Sequence, residues 1–302
     1  MKQPPLLRAM RPLQWVKNLV IAGPLVFVPK AWAESAAWGR TAETICAFCL
    51  LAGGTYLLND LMDRAADQHH PTKRNRPIAS GELGVQTALV AWILSTIAGL
   101  GWLWQIEQRP SLPFAETQVH WLLWSGVAYL VLTLAYSLWL KRIPILDVIL
   151  VALGFVIRAV AGGAVLQVHV SPWLLLCTFL LLLMVALGKR RWEMESLEDA
   201  HAHRPILAEY NLALIDQFLS ITAAMTLMAY SLYTFNTSTI HGPWLMLTIP
   251  NVLYGVVRYL ALIHIEGSGG APEEAILKDA PTLINIGVWI LLSAAILRLA
   301  HG

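Results

Sequence analysis

Charge is what this chain of 302 residues has least of. Only 13% are Asp, Glu, Lys or Arg, against about a quarter in an ordinary soluble domain. With 57% hydrophobic residues and a mean hydropathy of +0.59, a soluble core would leave large apolar patches in water, which excludes a soluble globular protein. Cysteine is scarce too, at 3 residues, so there is no disulfide scaffold. Long apolar runs exclude disorder, and 20 glycines are too few for collagen. What is present is a series of apolar runs. A membrane span takes about 20 mostly apolar residues, and nine spans are read at approximately 15–32, 38–59, 84–105, 119–140, 144–166, 171–188, 214–235, 243–265 and 281–299. No long soluble insertion separates them, so residues 1–302 read as a single intramembrane domain. Backbone groups in lipid must bond internally, which leaves helices or a closed barrel. The runs are continuous rather than alternating, so helices are expected. The fold class is an all-α polytopic membrane protein with nine transmembrane helices.

The few charges are unevenly placed. The N-terminus and the loops after spans 2, 4, 6 and 8 hold Lys2, Arg8, Arg11, Lys17, Arg64, Lys73, Arg74, Arg76, Lys141, Arg142, Lys189, Arg190, Arg191, Arg204 and Lys278, which are 15 of the 21 basic residues. The opposite loops hold Lys30, Arg40, Arg109 and Arg298. This asymmetry puts the N-terminus and the even loops in the cytoplasm and, with nine spans, the C-terminus outside. Ala31-Trp32-Ala33 after span 1 mimics a signal-peptide cleavage site. Cleavage there would discard Lys17, so an uncleaved span is expected. Cys46 and Cys49 form a CxxC inside span 2 with no polar partners near in sequence. They read, like Cys177, as buried small hydrophobes rather than a redox or zinc motif. Thirteen Trp and eight Tyr suit interfacial belts.

Span 2 ends in Asn59-Asp60-Leu61-Met62-Asp63-Arg64-Ala65-Ala66-Asp67. On a helix this spacing projects Asp60, Asp63 and Asp67 from one face, with Asn59 beside Asp63. Three such carboxylates repel unless a cation lies between them, and hard oxygen ligands at this density suit Mg²⁺ completed by substrate phosphates. The plainer reading is a solvated helix end paired to nearby bases, but ionisable groups near membrane depth mark function by default. Next come His70-Pro71-Thr72-Lys73-Arg74-Asn75-Arg76-Pro77-Ile78-Ala79-Ser80-Gly81, a stiff turning loop that sets Lys73, Arg74 and Arg76 beside the acids. Acids for a cation and bases for phosphate make a diphosphate site. His69, His70, His201 and His203 read as ordinary loop histidines rather than metal ligands.

Lys17 and Asn18 open span 1, where Lys17 suits either phosphate binding or a snorkelling anchor beside Trp15. Tyr136, Lys141 and Arg142 close span 4, and Asp147 opens span 5. Arg158 lies deep in span 5 before Gly162 and Gly163. A deep Arg needs a partner or a polar cavity, and the glycines permit close packing. Arg258 in span 8 is a second buried candidate. The loop after span 6 begins Gly188-Lys189-Arg190-Arg191-Trp192-Glu193, a basic cluster suited to a second phosphate-bearing substrate or to positive-inside bias alone.

Asn59-Asp60-x-x-Asp63-x-x-x-Asp67, followed by Lys73-Arg74-x-Arg76-Pro77 and Ser80-Gly81, resembles the first signature of the UbiA superfamily of intramembrane prenyltransferases. Arg11-Pro12-x-Gln14-Trp15-Val16-Lys17-Asn18, Ile157-Arg158-Ala159-x-Ala161-Gly162-Gly163, Gly188-Lys189-Arg190 and the stretch around Gly269-Gly270-Ala271-Pro272-Glu273-Glu274 resemble its decaprenyl-phosphate phosphoribosyltransferase branch. The resemblance spans essentially the whole chain and implies a UbiA-like helical bundle. It implies transfer of 5-phosphoribose from phosphoribosyl pyrophosphate to a polyprenyl phosphate. One departure from the superfamily bears on substrate. Aromatic prenyltransferases carry a second aspartate-rich motif after span 6, where this chain has Lys189, Arg190, Arg191 and Glu193, with Glu195, Glu198 and Asp199 irregularly spaced.

The mechanism expected from this has Asp60, Asp63 and Asp67 holding Mg²⁺ against the pyrophosphate. Asn59 orients the first acid or binds the donor. Lys17, Lys73 and Arg74 neutralise the leaving group, and Arg76, Asn18, Tyr136 and Arg158 complete the substrate-binding set. Lys189, Arg190 and Lys141 hold the acceptor phosphate. The expected setting is a bacterial-type inner membrane with the site facing the cytoplasm. No nucleic acid is expected among the partners, and a homo-oligomer is left open. The alternatives are an aromatic prenyltransferase acting on a 4-hydroxybenzoate-, quinone- or haem-type acceptor, and a transporter. Transporter sites lie near the midplane, whereas these ionisable residues cluster at one edge.

Overall fold

A computed structural model describes residues 3–117, 121–196, 210–241, 243–264 and 278–301. Among them, every regular element is helical. The main helices are α1 (Ser35–Met62), α2 (Val85–Glu107), α3 (Leu122–Leu138), α4 (Leu146–Leu166), α5 (Pro172–Ser196), α6 (Leu212–His241), α7 (Ile249–His264) and α8 (Ala280–His301). Seven segments are long and apolar enough to cross a membrane. They correspond to the expected spans 2, 3 and 5 to 9, and the chain is an integral membrane protein.

The other two spans differ from expectation, so nine long helices are not found among the described residues. Span 4 is α3, of 17 residues. Its backbone turns at Trp139 into a short 3₁₀ turn, Leu140–Arg142. Span 1 is not one helix. Pro12–Ala22 forms a 3₁₀ helix of 11 residues and Gly23–Val26 a single α turn. Pro24 has no N–H and its ring crowds the carbonyl four residues back, so an α-helix running through it would lose a hydrogen bond and kink or break. At about 2 Å rise per residue, the 3₁₀ form lets this stretch cover about 22 Å, against about 16 Å as an α-helix.

Two compact units divide the chain: Met1–Leu25, Lys30–Trp139 and Ile157–His169 form the first, and Val26–Pro29, Leu140–Val156 and Val170–Gly302 the second. In the first, α1 packs along α2 and the 3₁₀ segment. Gly99 makes the α1–α2 approach possible, because a Cβ there would lie 2.6 Å from a Leu51 methyl and 3.2 Å from the Ala47 carbonyl. Gly162 does the same for the 3₁₀ segment, where a Cβ would sit 2.2 Å from the Ile21 carbonyl oxygen. Close packing was expected at Gly162, and this is its partner. At the polar end, Ala9, Leu57, Ile78, Leu83 and Ala88 form a buried cluster. Full burial of an Ile or Leu side chain is worth about 1.5–3 kcal/mol, so Ile78 and Leu83 pin the Lys73–Gly81 loop to α1 and α2.

The second unit is organised on α6, which packs along α5, α7 and the 3₁₀ turn Pro243–Thr248. Its core holds Val148, Met184, Leu187, Ile215, Leu219, Tyr259 and Ile263. A further cluster joins Cys177, Tyr230, Tyr233 and Leu245, with Phe27 edge-on to Tyr233. Cys177 is the buried small hydrophobe expected of it. Cys46 instead is exposed on α1, and Cys49 is only half-buried. Cys49 faces the segment before it, where Asn18 Nδ2 donates to its sulfur at 3.2 Å.

Candidate active site

The acidic motif straddles a break. Helix α1 ends at Met62, Asp63 caps it with φ −87° and ψ 1°, and a short helix, Arg64–His69, follows. The three acids therefore do not share one uninterrupted helical face. The Asp63 N–H still bonds the Asn59 carbonyl at 2.9 Å and the Asp67 N–H the Asp63 carbonyl at 2.8 Å, so the spacing stays near helical. Asp60 and Asp67 are buried, at 2% and 4% exposure, and Asp63 is half-buried.

Two arginines from distant positions neutralise the buried pair. Arg76 Nη1 donates to Asp60 Oδ1 at 3.1 Å and to Asp67 Oδ2 at 2.6 Å. Arg11 Nη2 donates to Asp60 Oδ1 at 2.6 Å, and its guanidinium lies 4.7 Å from the Tyr56 ring centroid. Arg11 has φ +53°, a left-handed conformation uncommon outside glycine, on entry to the 3₁₀ segment. Asn59 orients the second acid rather than the first: its Nδ2 donates to Asp63 Oδ2 at 3.2 Å. In the loop, Lys73 is half-buried and Arg74 exposed. His70 shapes the turn, its Nδ1 accepting from the Thr72 and Lys73 backbone N–H groups at 3.2 and 3.3 Å.

Lys17 is half-buried on the 3₁₀ segment beside the fully buried Asn18. Arg158 is buried in the same unit, and its partners are protein groups. Its Nε donates to Asn18 Oδ1 at 2.7 Å and its Nη2 to the Tyr129 hydroxyl at 3.1 Å. Arg158 thus anchors the segment that carries Lys17 and Arg11. Tyr136 is half-buried on α3, and Lys141 half-buried in the turn after it.

In the second unit the basic cluster is not a loop. Helix α5 runs on through Ser196, two turns beyond the expected end. The acids that look irregular in sequence explain the extension by pairing one helical turn back. Arg190 Nη1 donates to Glu193 at 2.6 Å and Arg191 Nη1 to Glu195 at 2.6 Å. Arg190 Nε also donates to Asp147 Oδ2 at 2.9 Å, and Arg191 Nε to Asp216 Oδ1 at 2.8 Å. Lys189 is half-buried. Gly188 serves packing, because a Cβ there would lie 2.5 Å from Ile263 and Tyr259 side-chain atoms. Arg258 has its partner in Asp279, with bonds of 3.1 and 2.6 Å. Those bonds hold the Asp279 carboxyl well below the usual carboxylate range.

Of the site residues inferred from sequence, Asn59, Asp60, Asp63, Asp67 and Arg76 come together, Asn18 bonds Arg158, and Arg190 lies on the basic helix of the second unit. Arg11 and Asp147 were missed as site residues. Each carries a signal, a base directly before Pro12 at the membrane edge and an acid inside an apolar run. Tyr210, which meets Asp147, carries none. His201, His203, Glu198, Asp199, Arg204 and the Gly269–Glu274 stretch lie outside the described residues.

An intramembrane helical protein with a buried acid–base pole at one helix end defines a class, and comparison with known proteins specifies it. The UbiA prenyltransferase family model matches residues 21–271. The chain belongs to that family and is a transferase. A decaprenyl-phosphate phosphoribosyltransferase of Corynebacterium glutamicum is 33% identical, the match covering 96% of this chain and 87% of that protein. The Mycolicibacterium smegmatis protein of the same name is 33% identical over 94% of this chain and 90% of its own. A UbiA homolog from Archaeoglobus fulgidus bound to GPP and Mg²⁺ shares the fold, with a TM-score of 0.70 at 17% identity, covering 97% of this chain and 99% of that one.

Proposed function

We propose that this chain transfers 5-phosphoribose from phosphoribosyl pyrophosphate to a polyprenyl phosphate and releases pyrophosphate. The observation that carries the reading is the interleaving of the buried Asp60 and Asp67 with the half-buried Arg76 and Arg11, a set able to hold a cation and a diphosphate together. The relatives' names supply the substrate class. Residues 1–302 act as one catalytic domain, at an inner membrane with the donor site open to the cytoplasm, where a soluble donor is found.

Mg²⁺ fits the donor set. Among the described residues no group of three or more His, Cys, Asp or Glu is arranged as a metal cage. Mg²⁺ does not need one, since it binds through one or two carboxylates, waters and substrate phosphates. Asp60 and Asp67 accept from the same guanidinium nitrogen of Arg76, so their oxygens already converge. With Asp63 steadied by Asn59, they would hold the ion, which when bound supplies positive charge to the diphosphate.

The chain's own groups do the rest. Arg76 and Arg11 turn from the carboxylates to the phosphates as the donor arrives, and Lys17, Lys73 and Arg74 add charge to the leaving pyrophosphate. The anomeric C–O bond breaks with oxocarbenium-like character on the ribose. Lys141, Lys189 and Arg190 are assigned to the acceptor phosphate. Its oxygen is already anionic and attacks without a general base, so catalysis is positioning and leaving-group stabilisation.

A two-donor assay on purified protein in nanodiscs tests this. One arm supplies labelled phosphoribosyl pyrophosphate, polyprenyl phosphate and Mg²⁺; the other supplies polyprenyl diphosphate, 4-hydroxybenzoate and Mg²⁺. Labelled lipid in the first arm alone, lost with EDTA, is the expected result. Product in the second arm alone would overturn the reading in favour of an aromatic prenyltransferase.

A further inference from the structure

The mechanism leaves one fully buried carboxylate unused. Asp147, at 0% exposure, lies one residue into α4, and both its oxygens are engaged. Oδ2 accepts from Arg190 Nε at 2.9 Å and Oδ1 from the Tyr210 hydroxyl at 2.9 Å. The Tyr210 oxygen in turn accepts from the Ile145 N–H. Ile145 has φ +67°, a conformation strained for a β-branched residue and held by that bond. Burial pushes the Tyr210 hydroxyl up to about 12, so it remains a donor at any working pH.

Buried ion pairs of this kind are poor stabilisers, because desolvation offsets the Coulombic gain, and apolar replacements often fold as well. Here the pairing fixes a direction instead. Asp147 grips the Nε edge of Arg190, which leaves the Nη1 edge against Glu193 at 2.6 Å. Glu193 is the more open of the two acids, with 15% side-chain exposure against 0% for Asp147. An arriving phosphate can displace Glu193 while Asp147 keeps its hold.

We infer that Asp147 is a positioning residue for the acceptor phosphate: it holds Arg190 by one edge, and through Tyr210 it ties the chain entering α6 to the strained turn at Ile145. This rests on the assignment of Arg190 to the acceptor in the proposed function.

The test is a titration of polyprenyl phosphate into the full chain in nanodiscs, without donor, for wild type, Asp147→Asn, Tyr210→Phe and the pair Asp147→Asn/Arg190→Gln. A parallel titration uses phosphoribosyl pyrophosphate with Mg²⁺. Asp147→Asn should weaken polyprenyl phosphate binding about tenfold, as expected for one hydrogen bond to a charged group, and leave donor binding unchanged. Tyr210→Phe should shift the same constant about threefold and serves if Asp147→Asn fails to fold. The double variant removes the Arg190 charge together with the Asp147 charge that balances it, so its thermal stability should return towards wild type while lipid binding stays weak. Wild-type lipid affinity in Asp147→Asn, or recovery of binding in the double variant, would overturn the positioning role alone. No binding of polyprenyl phosphate by wild type would overturn the acceptor assignment beneath it.

Discussion

The two charged poles are built in opposite ways. In the first unit the acids are the fixed element. Asp60 sits on α1, and the bases that neutralise it come from segments 49 and 16 residues away in sequence. In the second unit the bases are fixed on α5, and two of their acids, Glu193 and Glu195, lie one turn along the same helix. A carboxylate pole with arginines on flanking segments can exchange those arginines for a cation and let them turn to phosphate. A basic helix held by local acids can take an anion in exchange for one acid without moving its backbone. The contrast suits a diphosphate donor at one pole and a monophosphate acceptor at the other.

Substitutions can break this contrast in graded steps. The largest effect is expected from Asp60→Ala, which should abolish Mg²⁺-dependent turnover while the chain still folds, since Arg11 and Arg76 keep about a quarter to a third of their side chains open to solvent. Wild-type activity in that variant would remove the metal assignment. Next, Arg76→Ala should raise the donor KM by about a hundredfold, the size of two lost charge-assisted bonds, with the acceptor KM little changed. An equal rise in both would erase the distinction between the poles. Arg158→Gln should act through stability. Leaving the buried Asn18 and Tyr129 acceptors unsatisfied costs about 1–3 kcal/mol each, read as a lower Tm, with donor affinity falling as the 3₁₀ segment loosens. Gly162→Ala, which meets the Ile21 carbonyl, should cost about 1–3 kcal/mol by overpacking on the same readout.

The smallest effect is a pH dependence at the Arg258–Asp279 pair. Asp279 caps α8, accepting from the Thr282 N–H at 3.0 Å, and its carboxyl is depressed chiefly by its hydrogen bonds from Arg258. A depressed carboxyl contributes stability above its ordinary titration range, and the contribution is lost as pH falls through the lower folded value. Thermal unfolding between pH 7 and pH 3 should therefore show less acid loss in Asp279→Asn than in wild type.

Sequence made the apolar helices and the acidic motif legible for a common reason. Apolar run length and an acid spacing of three and four residues are local properties. What it hid was non-local. That Arg11 and Arg76 meet at Asp60, or that Arg158 finds Asn18 and Tyr129, depends on tertiary packing that no spacing encodes. Span 1 has the hydrophobicity of a helix, while Pro24 and the close approach of Gly162 to Ile21 act on its backbone and leave no mark in that hydrophobicity. The end of α5 is hidden because Lys189, Arg190 and Arg191 look like a loop until Glu193 and Glu195 are counted at helical spacing from Arg190 and Arg191.

The central claim is that the Asp60–Asp67–Arg76 pole takes a metal–diphosphate donor. The most direct measurement is a structure of the full chain in nanodiscs with Mg²⁺ and phosphoribosyl pyrophosphate. The account predicts diphosphate density beside Asp60 and Asp67, with the Arg76 guanidinium swung from the carboxylates onto phosphate oxygens. Diphosphate bound elsewhere, with Arg76 still bridging the two acids, would contradict it.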